Sequence, residues 1–99
     1  MSREPDIFNL TADQVVELAN RIMDQHPEAD VWEIASGLIA GAVHYWLYAH
    51  QPCDDPACPD CGDYATAELR LQRLMEEVRQ SAEESDFYHT PNDANVGRA

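Results

Sequence analysis

Three cysteines stand close together in the middle of the chain, as Cys53-x4-Cys58-x2-Cys61, and His50 precedes the first by three positions. A Cys-x2-Cys turn places two sulfurs on one side of a tight loop, within reach of one tetrahedral ion. Zinc takes thiolate and imidazole ligands, and three Cys with one His make a closed structural set. The expected site therefore has Cys53, Cys58 and Cys61 as thiolate ligands and His50 as a neutral imidazole ligand. Such an ion would do structural work. A small domain with few large apolar residues lacks core, and metal binding supplies folding free energy.

Other chemistries compete for the same residues. The cysteine spacing begins the plant-type ferredoxin pattern of iron–sulfur ligation, but that pattern needs a distant fourth Cys and this chain has three. A thiol-based redox or metal sensor would join Cys58 and Cys61 in a reversible disulfide. Against it, Asp54, Asp55 and Asp60 flank the sulfurs, and nearby negative charge raises a thiol pKa. The same aspartates favour a bound cation. In the plainest alternative the cysteines are reduced thiols in a connector, and His50 caps a helix end, where an imidazole meets unpaired carbonyls.

Little else points to chemistry. His44, Tyr45, Trp46 and Tyr48 form an aromatic run that reads as core with polar tips. No Gly-rich phosphate loop, nucleophile elbow, His-Glu-x-x-His or Glu-x-x-His is present. A non-enzymatic protein is expected.

Three helices should position the loop. Thr11 reads as the N-cap of the first, with Gln14 at the capping-box position and Leu10 and Val15 as a staple. Val15, Leu18, Ala19 and Ile22 then repeat at helical spacing, and Pro27 stops a helix over Ala12–Gln25. Asp30 caps the second, with Glu33 as box partner; Pro27 is a competing start. Its apolar residues cover most of its circumference, and Ala35–Val43 carries no charge, so it reads as a buried central helix. Gly37 and Gly41 permit another helix to approach closely. Pro52 ends it. Residues 52–62 hold three Pro, three Asp and a Gly, and form a loop. Asp63 reads as the cap of the third helix, whose apolar face is Ala67, Leu71, Leu74, Met75, Val78 and Ala82. Arg73 with Glu77, and Arg79 with Glu83, are expected i, i+4 pairs. The helix should fray near Ser85, leaving residues 86–99 as a flexible tail.

The predicted fold is all-α: a single three-helix domain over residues 1–85, a small helical bundle. Leu, Ile, Val and Phe make up only about a fifth of the 99 residues, enough for one modest core. Nineteen acidic residues against six basic ones, all Arg, give a formal charge of −13. That charge repels nucleic-acid phosphate and anionic membranes and favours a basic protein partner. No apolar stretch reaches membrane-spanning length, and Met1–Asp6 lacks the apolar region of a secretory signal. A cytoplasmic location with reduced cysteines follows as the expectation. The leading function is a small acidic interaction or accessory protein with a structural zinc loop. An acidic inhibitor of a basic nucleic-acid-binding protein is a further alternative, and a homodimer would bury extra apolar surface.

Overall fold

The computed structural model describes residues 6–55 and 57–93. Their regular structure is all helical, as expected. It comprises α1 (Ile7–Gln25), α2 (Val31–Ala49), a 3-10 helix (Pro59–Tyr64) and α3 (Ala67–Glu84). The chain forms two compact units, Met1–Tyr45 and Trp46–Ala99, divided within α2. The N-terminal residues before 6 and the end of the expected tail, 94–99, lie outside the described residues.

In the first unit, α1 begins earlier than Thr11. Asp6 is the cap: Asn9 donates its backbone amide to Asp6 Oδ1 at 3.2 Å and its side-chain amide to Oδ2 at 2.6 Å. Asp is a stronger cap than Thr, and Asn9 adds a second bond, so Thr11 is absorbed into the helix. The other end falls as expected. The His26 amide reaches Ile22 O at 2.9 Å, and a turn at Pro27 follows. Asp30 caps α2 by accepting the Trp32 amide on Oδ1 at 2.9 Å, a bond worth about 1 kcal/mol of helix stability.

The expected burial of α2 is not observed. None of its residues is buried. Ile34, Leu38, Val43, Trp46 and Leu47 are half-buried, and Trp32 is 79% exposed. A helix apolar on most faces needs cover on most faces, and within this unit α1 does not lie alongside α2. A Cβ added at Gly37 or Gly41 would meet nothing within 4 Å, so among the described residues of this unit the glycines make no close crossing.

The second unit begins at the last turn of α2. Asp63 does not cap α3. Residues 59–64 wind into the 3-10 helix, which opens with proline, and Asp63 falls inside it. Thr66 is the cap, accepting the Leu69 amide on Oγ1 at 3.1 Å. Asp63 instead pairs with Arg73, Oδ2 to Nη2 at 2.8 Å. Among the described residues of this unit Leu74 is the buried one. Arg79 and Glu83 pair at 3.4 Å as expected, and α3 ends at Glu84 with Ser85 beyond it. Farther on, Asp93 accepts both the backbone amide and the hydroxyl of Thr90, at 2.9 and 3.0 Å, closing a local turn.

Candidate metal centre

The loop after α2 is folded by short-range bonds to Asp55. Its carboxylate accepts the Ala57 amide at 2.9 Å, and its carbonyl accepts the Cys58 amide at 3.1 Å. Cys58 then leads into the 3-10 helix, and the Cys61 amide returns to Cys58 O at 3.3 Å. This is the tight Cys-x2-Cys turn expected from the spacing. It brings Cys61 back onto Cys53. The Cys53 amide donates to Cys61 Sγ at 3.4 Å, and the two sulfurs lie 3.6 Å apart.

All three Sγ atoms lie within 4.8 Å of one another. Tetrahedral zinc with bonds of about 2.3 Å sets its sulfurs about 3.8 Å apart, so the cluster is near ligating dimensions. The sulfurs line a cavity of about 230 Å³ with Pro52, Asp54, Asp55 and Ala65. A wider groove of about 740 Å³ runs along α3 past Leu71 and Met75, away from the sulfurs.

Hydrogen bonding makes the thiols unequal. The Cys53 side chain, the backbone amides of Asp60 and Cys61, and the Cys61 side chain all favour a thiolate at Cys58, and its pKa falls below the ordinary thiol value. The direction is opposite to the one expected from the surrounding aspartates, and its causes are donors placed directly on the sulfur. At Cys61 the Cys53 amide pulls the pKa down. The neighbouring sulfurs of Cys53 and Cys58, partial burial and the Cys53 charge together outweigh it and push the pKa up.

His50 stands outside the sulfur group. Its Nδ1 lies 2.8 Å from Trp46 O, and its ring stacks on Trp46 with centroids 3.8 Å apart. A carbonyl only accepts, so Nδ1 donates this bond, and in the neutral imidazole the lone pair then lies on Nε2. The helix-capping role is thus what the geometry presents. The tautomer is also the one a zinc-binding Nε2 requires, with the other nitrogen held by a carbonyl. Tyr64 completes the aromatic group, 5.1 Å from His50 between ring centroids.

Three side chains of α3 support this arrangement, and the helical pattern did not reveal their roles. Glu77 does not pair with Arg73; it accepts the Trp46 indole N–H at 2.6 Å. Arg73 bonds Glu76 at 3.0 Å as well as Asp63. Arg70 donates to Tyr64 O at 2.8 Å, fixing the end of the 3-10 helix. One signal was present in the sequence: a tryptophan N–H on an otherwise apolar stretch needs an acceptor. Among the described residues no helix is long and apolar enough to cross a membrane. Set against known protein families, curated proteins and solved structures, the chain matches none.

Proposed function

We propose that this chain is a small, acidic, non-catalytic accessory protein that works through protein contacts, and that its 53–61 loop holds a structural zinc ion. The observation that carries the zinc reading is the convergence of Cys53, Cys58 and Cys61 Sγ within 4.8 Å. The three sulfurs supply three thiolates, and His50 Nε2 supplies the fourth ligand once its ring swings off Trp46 and gives up the present Nδ1 bond to Trp46 O. The ion anchors the loop between the end of α2 and the 3-10 helix, where the second unit has little apolar core of its own. The charge of −13 fits a partner with a basic surface.

Elemental analysis with native mass spectrometry tests this on untagged protein purified without chelator. One zinc per chain is expected. Cys58→Ser should lose the metal, and chelation should lower the melting temperature. His50→Ala should weaken zinc binding and alter the ligand-field spectrum of the cobalt-substituted protein. A metal-free chain with three free thiols overturns the assignment.

A second reading draws on the 3.6 Å approach of Cys53 and Cys61. In a thiol sensor these two, rather than Cys58 and Cys61, would form the disulfide. A peroxide would take two electrons from the pair, releasing water. A loss of two mass units in the Cys53–Cys61 peptide pair under mild peroxide, with the fold retained, distinguishes it.

A further inference from the structure

The ring of His50 is held on Trp46 in two ways. Its Nδ1 lies 2.8 Å from Trp46 O, and its face stacks on the indole, with centroids 3.8 Å apart and planes 18° apart. The indole is itself anchored, because its N–H donates to Glu77 Oε2 at 2.6 Å. The Tyr64 ring stands 5.1 Å from that of His50 and 6.3 Å from that of Trp46. Tyr64 closes the 3-10 helix that carries Cys61, and Arg70 pins its carbonyl at 2.8 Å. All these residues belong to the second unit. The imidazole is thus held beside the element that bears the sulfurs, yet it stands apart from the three of them. A helix cap alone does not call for the stack. The bond to Trp46 O comes from the backbone and would form over any side chain at position 46.

We infer that Trp46 is a positioning residue for the metal site, which holds His50 off the three sulfurs, lowers the zinc affinity of the loop and couples metal occupancy to the bond between Trp46 and Glu77. The inference rests on the zinc reading above and adds a control to it. A ligand engaged elsewhere in the metal-free chain lowers the apparent affinity by the fraction of chains in which it is free. An aromatic pair in a stacked arrangement corresponds to about two- to tenfold in that fraction. Glu77 strengthens the effect by fixing the indole beneath the imidazole. When His50 turns to the sulfurs, Trp46 loses its stacking partner while still bonded to α3. The change at His50 is therefore felt where the last turn of α2 meets α3.

The test is a zinc titration of the full chain against a competing chromophoric chelator, with Trp46→Leu and Trp46→Phe alongside. Both variants lose the bond to Glu77, but Phe keeps an aromatic face for His50, so their comparison isolates the stack. Trp46→Leu should bind zinc about two- to tenfold more tightly than Trp46→Phe. A purely structural Trp46 gives the opposite order, because Leu disturbs the aromatic group more than Phe does. Adding His50→Ala to both variants should erase the difference, since no ring is left to release.

A second measurement needs no substitution at Trp46 and decides alone if those variants fail to fold. In the unaltered chain, one equivalent of zinc should shift the Trp46 indole proton and the His50 ring resonances and leave the Trp32 indole in place. In His50→Ala zinc should bind more weakly, and the Trp46 shift should be lost. Zinc bound with the Trp46 and His50 resonances unmoved overturns the inference and leaves the three-sulfur site standing. Trp46→Leu binding no more tightly than Trp46→Phe does the same. No zinc bound by any form of the chain overturns the zinc reading and the inference together.

Discussion

At the scale of single residues, the cysteine cluster is asymmetric, and the asymmetry has a chemical consequence. Cys58 collects donors from Cys53, Asp60 and Cys61, while Cys61 is surrounded chiefly by other sulfurs. The alkylation rate rises with the thiolate fraction, which is larger where the pKa is lower. The accompanying loss of nucleophilicity recovers only about half of that difference. In the metal-free protein Cys58 should therefore react with iodoacetamide before Cys61, as peptide mass spectrometry after brief exposure at neutral pH will show. Zinc should protect all three together. Reaction of Cys61 first would mean that the amides of Asp60 and Cys61 do not face Cys58 in solution. The spacing of the cysteines announced their convergence, because a Cys-x2-Cys turn is a local structure. It did not announce which sulfur the backbone amides serve, since that depends on the 3-10 winding of residues 59–64.

At the scale of elements, the boundaries that were legible are those fixed by one strong local signal. Asp30 before Val31, Pro27 after Gln25 and the polar run after Glu84 are of this kind. Thr11 and Asp63 failed as caps because better-placed candidates, Asp6 and Thr66, lay within a few residues and the pattern alone could not rank them. The bond from Trp46 to Glu77 spans 31 positions, and no helical periodicity encodes it. It is short and charge-assisted, and it ties the last turn of α2 to α3 beside the loop. Glu77→Ala should lower stability by about 0.5–1.5 kcal/mol and shift the Trp46 indole proton resonance, leaving that of Trp32 in place. Glu77→Gln, which keeps an acceptor, should recover part of the loss. Arg73→Ala, which frees Asp63, should weaken zinc binding by up to about tenfold without changing stoichiometry. The turn after α3 has its own pH signature. The Thr90 amide and hydroxyl hold the Asp93 carboxyl below its ordinary value, with His89 adding to the effect. A depressed carboxyl pKa stabilises the turn above the unfolded value of about 3.9, and this is lost as pH falls through the folded value. The Thr90 amide resonance should accordingly move on acidification below pH ~4, and Asp93→Asn should blunt that movement.

At the scale of the whole molecule, the sequence carries apolar helices and a surplus of negative charge, and these act on association with opposite signs of salt dependence. A basic partner gains by meeting the carboxylates, and screening removes that gain. Self-association across the neutral stretch of α2 loses to mutual repulsion at −13, and screening removes that loss. Between about 0.1 M and about 1 M salt the screening length contracts from about 10 to about 3 Å, enough to separate the two. Sedimentation of the chain alone, and of the chain mixed with an arginine-rich peptide, should show the peptide complex weakening over this range, whereas self-association through apolar contact would tighten. Loss of all three cysteines should leave both trends in place, because neither the acidic surface nor the α2 face draws on the cysteine loop. If the peptide complex instead strengthens with salt, apolar contact rather than charge drives it. The acidity would then serve only to keep so much exposed apolar surface in solution.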